Sequence, residues 1–169
     1  MSRLRTANLL AAFARDVTTR AEEQLKTHHS QTDSALAALN TMSYWEGITN
    51  SQLARALGLS HTATVRLVDK LESQGLVEAS SGTDLRATHL NLTAAGKAAA
   101  QPALTARCAA VGSYLDGLDA AEQDQLAHLL EKLIRPLATD DEAVSHFCRL
   151  CDFTSCPDDQ CPMHAGDHA

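Results

Sequence analysis

Apolar residues recur along the chain at helical spacing in most places and alternate in one. Across residues 4 to about 26, Leu9, Leu10, Phe13 and Val17 return every three or four positions with Arg15, Arg20, Glu22 and Glu23 between them, predicting a long first helix. Residues 34 to 42 carry Leu36 and Leu39 and predict a short second helix, closed by the turn Tyr44-Trp45-Glu46-Gly47. Thr49-Asn50-Ser51-Gln52 has the form of a capping box, so a third helix starts there and runs to Leu57. Gly58 breaks it, Ser60 caps a fourth helix reaching Gln74 with Val65, Val68 and Leu71 turned inward, and Gly75 stops it. The period then changes: residues 76 to 79 predict a strand, 80 to 83 a turn, and the alternating Thr88-His89-Leu90-Asn91-Leu92 a returning strand. Thr93 caps an Ala-rich helix over residues 94 to 115, which Pro102 is expected to kink or divide at Gln101. Asp119-Ala120-Ala121-Glu122 opens a last helix bearing Leu126, Leu129, Leu130, Leu133 and Ile134.

Two short helices joined through Gly58-Leu59, followed by a hairpin, have the proportions of a winged helix-turn-helix, whose second helix enters the DNA major groove. The start and outer face of that helix offer Ser60, His61, Thr62, Thr64 and Arg66: hydroxyls and an imidazole for phosphates or base edges, and a guanidinium able to fork onto guanine. Lys70, one turn further, suits a phosphate. The competing account has Arg66 and Lys70 paired to Asp69 or Glu72 on an ordinary surface helix.

The run Ile48-Thr49-Asn50-Ser51-Gln52-Leu53-Ala54-Arg55-Ala56-Leu57-Gly58-Leu59-Ser60 through Gly75-Leu76-Val77-Glu78, with Asp84-Leu85-Arg86 and Leu92-Thr93-Ala94-Ala95-Gly96, resembles the MarR family of transcriptional regulators. With the flanking helices the resemblance covers about residues 4 to 137. It implies a mostly α fold: a winged helix-turn-helix at about 34 to 93 with a two-stranded wing, and a helical dimerisation base at about 4 to 27 and 94 to 137. It implies a homodimer whose two recognition helices address successive major grooves of a pseudo-palindrome in double-stranded DNA. It also implies that Arg86 enters the minor groove with Asp84 holding it, and the negative potential of a narrow minor groove suits a guanidinium. A small-molecule effector pocket between base and lobe is a further implication, with Tyr44, Trp45 and His29 as lining residues. One departure stands out. Ala79-Ser80-Ser81 follows Glu78 where many relatives carry a basic residue, so this wing makes fewer phosphate contacts and its binding should be less salt-sensitive.

Composition sharpens this picture at two points. Aromatics make up only 4% of the chain, which suits packed helices better than a sheet sandwich. The net charge of -7 stands against DNA binding until it is divided along the chain: residues 138 to 169 hold seven acids against Arg149 alone and so account for six of the seven charges. No apolar run is long enough to span a bilayer and the start is not that of a signal peptide, so a cytoplasmic protein without membrane contact is expected.

That last segment, 138 to 169, reads as an acidic, Cys-rich, metal-binding tail. Cys148, Cys151, Cys156 and Cys161 form C-x2-C-x4-C-x4-C, four soft ligands within 14 residues, which is zinc-knuckle spacing with Cys in place of His. A zinc ion is the first expectation. An iron-sulfur cluster and a metal-free thiol switch are the alternatives, since Cys-Pro pairs also occur in cluster ligation and Arg149 favours a thiolate. His146, His164 and His168 are read as solvated, and Cys108 as a small core residue. With no Gly-rich phosphate loop, nucleophile motif or second acid-base set, an enzyme is not expected. The expected function is a dimeric repressor released by a small ligand or by a change at the cysteines. Its rival is a metal-dependent or redox thiol protein that keeps the fold without reading DNA.

Overall fold

The computed structural model describes residues 2–28, 32–81, 88–156 and 160–163. Helix starts are fixed by side chains: Thr32, Thr49, Ser60, Thr93, Asp119 and Asp140 each accept a backbone N–H of the first turn. The capping boxes at Thr49 with Gln52 and at Asp119 with Glu122 both close. These caps set the order α1 (Arg3–His28), α2 (Asp33–Tyr44), β1 (Ile48–Thr49), α3 (Asn50–Leu57), α4 (His61–Ser73), β2 (Val77–Ser81), β3 (Thr88–Leu92), α5 (Ala94–Gly112), α6 (Ala120–Ile134) and α7 (Asp141–Cys148). Short 3-10 turns at Ser113–Gly117 and Arg135–Leu137 flank α6.

The fold is mostly α, as expected, but the sheet has three strands rather than two. β3 lies between β1 and β2 and runs antiparallel to both, pairing Leu90 with Ile48 on one side and Ala79 on the other. β1 escapes sequence reading because two residues show no period. β2 extends to Ser81 instead of turning at Ser80. Leu39, Met42, Ile48, Leu53, Val68, Leu71, Val77 and Leu90 are buried in one core that α2, α3, α4 and the sheet share. At about 1.5–3 kcal/mol for each fully buried aliphatic side chain, this cluster dominates the lobe's stability.

Pro102 does not divide α5, which runs unbroken past it. The proline sits on the exposed side, and Ala100, Ala103 and Leu104 are buried around it, so packing holds both halves in line despite one missing N–H. α5 lies against α1 and α2. Near its end Phe13 meets Tyr114 edge-on at 5.1 Å, Arg20 stacks over the same ring at 4.6 Å, and Tyr114 donates its hydroxyl to Asp16. The segment after residue 138, expected as a tail, contains α7, which packs against α3.

The Leu92-Thr93-Ala94-Ala95-Gly96 exit from the wing has a steric cause. Thr93 donates its hydroxyl to the Gly75 carbonyl at 2.7 Å and its N–H to the Leu76 carbonyl at 3.1 Å, drawing the first turn of α5 onto the chain that leaves α4. A Cβ on Gly96 would stand 2.0 Å from the Leu76 carbonyl oxygen, which is backbone and cannot swing away. Gly96→Ala should therefore destabilise the chain by about 1–3 kcal/mol, the usual cost of overpacking, read as a lower urea midpoint with the helical signal of the folded state retained. An unchanged midpoint would mean that the contact is relaxed at no cost.

Candidate nucleic-acid interface

α3 ends at Gly58, whose φ of +66° is the left-handed conformation that glycine adopts freely. Leu59 N–H then closes onto the Ala54 carbonyl at 2.9 Å, and Ser60 Oγ accepts the Ala63 N–H at 3.2 Å to start α4. This tight turn presents the first two turns of α4 outward. Ser60, His61, Thr62, Arg66 and Lys70 are all exposed, and Thr62, Arg66 and Lys70, four apart, form one stripe. Among the described residues no ion pair ties Arg66 or Lys70 to Asp69 or Glu72, so the ordinary surface-helix account finds no support.

Thr64 does not belong to this surface. It is fully buried, with its hydroxyl donated to the Ser60 carbonyl at 3.1 Å. Thr64, Val68 and Leu71 follow i, i+4, i+7 spacing and form the buried stripe of α4, a signal that the threonine's polarity concealed. Asp84 and Arg86 lie outside the described residues. The wing's stem is tied to the turn before β1: His89 Nδ1 donates to the Gly47 carbonyl at 2.7 Å, Gly47 N–H donates to Asn91 Oδ1 at 3.1 Å, and Asn91 Nδ2 reaches Ser80 Oγ at 3.2 Å. His89 and Asn91 read in sequence as bland strand positions, yet they fasten the wing's stem to the turn before β1.

The cysteine segment is built onto this lobe. Asn40, buried on α2, donates its amide to the carbonyls of Arg149 at 3.1 Å and Cys151 at 2.9 Å. From α5, Arg107 donates to the Leu150 carbonyl at 3.1 Å and Gln101 to Asp152 Oδ1 at 3.0 Å. Asp152 is buried and also accepts from Thr154 N–H and Oγ and from Ser155 Oγ. Burial pushes its carboxyl up, but the donors from Thr154, Gln101 and Ser155 together prevail and hold it below the usual aspartate value. Cys148 packs with Ala138 and Met163, with Cys151, Phe153 and Cys161 against them.

Cys148, Cys151, Cys156 and Cys161 all line one cavity of about 310 Å³, together with Thr41, Tyr44, Trp45 and Phe153. Tyr44 and Phe153 stack at 4.7 Å; His29, the third residue expected beside Tyr44 and Trp45, lies outside the described residues. The Cys148 thiol donates to the Cys151 sulfur, which raises the former and, against burial and with help from Arg107, lowers the latter to about 7. Burial, then the neighbouring Cys161 and Cys151, push Cys156 up to about 11. Cys108 is half-buried rather than a core residue; burial raises its thiol, which faces Arg107, Asp152 and Cys151. Among the described residues no three His, Cys, Asp or Glu side chains already stand as a coordination sphere. His146 is exposed on α7, and His164 and His168 lie outside the described residues.

A capped helix pair with its second helix facing outward, backed by a three-stranded wing, defines a winged helix-turn-helix protein. The model of the MarR family matches residues 32–87. The transcriptional repressor MprA of Escherichia coli K12 is 34% identical over 88 residues, 52% of this chain and 50% of that protein, so the chain spans about half the length of the curated relatives it matches. Among solved structures, YusO of Bacillus subtilis is similar with a TM-score of 0.68 at 23% identity, covering 80% of this chain and 99% of that one. A mutant of S. aureus MepR, solved bound to an oligodeoxyribonucleotide, is similar with a TM-score of 0.59 at 18% identity, covering 78% and 97%. The match to the MarR family lies in residues 32–87, the segment that holds α2, the helix-turn-helix and the first strand of the hairpin. No helix among the described residues is long and apolar enough to cross a membrane.

Asn40→Ala would leave two inward carbonyls of the cysteine segment without their donor. The expected loss is about 1–3 kcal/mol, confined to that segment. Chymotrypsin should then cut at Phe147 or Phe153 well before the lobe unfolds, whereas uniform resistance along the chain would show that the segment is held by other contacts.

Proposed function

We propose that this protein is a DNA-binding transcriptional regulator, a homodimeric repressor that reads a pseudo-palindromic operator. The observation that carries the reading is the exposed, unpaired stripe of Thr62, Arg66 and Lys70 on α4, beside Ser60 and His61 at its start. Arg66 forks onto a base edge, Lys70 meets phosphate, and Arg86 with Asp84 enters the minor groove beyond the wing's stem. The repressor assignment draws on MprA's description, and the choice of DNA as ligand is supported by the oligodeoxyribonucleotide bound to the MepR mutant. Release follows from a small ligand or from a change at the cysteine segment, each acting only through a difference in affinity between two arrangements of the lobes.

Arg66→Ala and Arg86→Ala should each weaken binding to a selected duplex by about 1–3 kcal/mol, roughly tenfold or more, and relax the preferred sequence. Lys70→Ala should weaken all duplexes alike and flatten the salt dependence by about one phosphate contact. Fluorescence anisotropy at several salt concentrations measures all three, and unchanged affinity in the two arginine variants would sink the assignment in favour of a thiol protein that has kept the fold.

The dimer rests on exposed apolar surface. α6 has no buried residue although it carries Leu129, Leu130 and Leu133, the last 59% exposed. α1 likewise exposes Leu4, Leu9, Leu10 and Phe13. Two such stripes, on α1 and α6, need covering, and a second copy offers the same stripes in return. Leu130→Asp combined with Leu133→Asp should convert the dimer to monomer in sedimentation velocity while the lobe stays folded.

A further inference from the structure

We propose that Cys148, Cys151, Cys156 and Cys161 form a thiolate site for one thiophilic divalent cation, zinc by class, and that filling it locks α7 and the following loop across the seam between the helix-turn-helix and α5. The control part of this proposal rests on the DNA-binding reading; the metal site and the lock do not.

Four thiols on one cavity suit a single tetrahedral ion: Cys148, Cys151, Cys156 and Cys161 all line it, and Cys148 packs in one cluster with Cys151 and Cys161. A tetrahedral ion with metal–sulfur bonds of about 2.3 Å needs its four sulfurs nearly touching. An iron-sulfur cluster places iron and sulfide between its cysteines and keeps their sulfurs further apart. Loading draws the sulfurs together and releases the thiol protons to solvent as metal–sulfur bonds form. Thr41, on the same cavity wall, keeps its hydroxyl oxygen buried without a partner among the described residues. A thiolate drawn in around the ion is an acceptor for that hydroxyl. Arg107, close enough to act on Cys151, offsets part of the negative charge of a four-thiolate site.

The surrounding loop is prepared for this role. Asn40, Gln101, Arg107 and the buried Asp152 fix its backbone from two helices. Its apolar contribution is small, with Ala138, Cys148 and Met163 the buried members of its cluster among the described residues, so an ion supplies closure that hydrophobic burial does not. On its far side α7 bears on the DNA-reading unit: it packs on α3, and the His146 ring lies 3.1 Å from where a Cβ on Gly58 would stand. Gly58 is the turn that aims α4.

The full chain, stripped of metal under reducing conditions, is titrated with Cd²⁺ while thiolate-to-metal charge-transfer absorption is recorded, and Zn²⁺ is then used in competition. One ion per chain is expected. Cys156→Ser and Cys161→Ser should each lose the band or weaken binding at least about tenfold, whereas Cys108→Ser should retain it. Hydrogen exchange of α3 and α7 should slow by about tenfold on loading, and this readout needs no DNA. No charge-transfer band, loss of the band in Cys108→Ser, or a brown iron- and sulfide-bearing protein as purified overturns the single-ion site. An ion that binds without slowing exchange in α3 overturns the lock. If the wild-type chain passes these tests but binds no duplex, the metal site and lock stand and the control part falls with the DNA-binding reading.

Discussion

Burial of one stripe of α4 is the constraint from which the rest of this structure follows. Thr64, Val68 and Leu71 face inward onto α2, α3 and the sheet, and that choice of rotation leaves Thr62, Arg66 and Lys70 with no surface to meet but solvent or a partner. A helix cannot bury one face without committing the opposite one. The capping hydroxyl of Ser60 and the left-handed Gly58 then fix where the helix begins and how it leaves α3. The surface offered for recognition is thus a consequence of packing: the positions free to read a groove are those the core rejects.

The same logic, applied to the base, leads outside the single chain. α5 is satisfied, with Ala100, Ala103 and Leu104 buried, while α1 and α6 present leucines that nothing among the described residues covers. The lobe therefore closes on its own core, while the base keeps an apolar face exposed. In the homodimer proposed above, lobes fixed by their own cores would move as units, and a small rearrangement of a shared base would change the spacing between recognition helices.

Much of this is legible in the sequence, and for identifiable reasons. Caps are short-range and chemical, so Thr49, Ser60, Thr93 and Asp119 mark their helices as plainly in sequence as in space. Three features are not legible. Thr64 reads as outward because its hydroxyl looks available, whereas a threonine can bury that group by donating to the carbonyl four residues back. β1 exists only because β3 is there to pair with it, a tertiary fact that two residues cannot announce. α7 is hidden by acidity, although Asp140 caps it and Asp141 and Glu142 sit in its first turn, where the helix dipole favours them. Six net charges that read as a solvated tail are in part a helix start.

That redistribution of charge changes how the extension is understood. Asp152 is the clearest case: a buried carboxylate is costly unless its oxygens are occupied, and here donors from Gln101, Thr154 and Ser155 occupy them. Such a group specifies one arrangement of its loop, because displacement would strand it without partners. Asn40 works in the same way from α2, presenting its amide to the carbonyls of Arg149, between the first two cysteines, and of Cys151 itself. Both residues commit polar bonds to a segment that buries little apolar surface, so neither is explained by the stability of the lobe alone. Their effect is to hold the backbone between Cys148 and Cys156 in place without engaging the thiols, so a fixed backbone and uncommitted sulfurs stand beside α7, the helix that packs on α3.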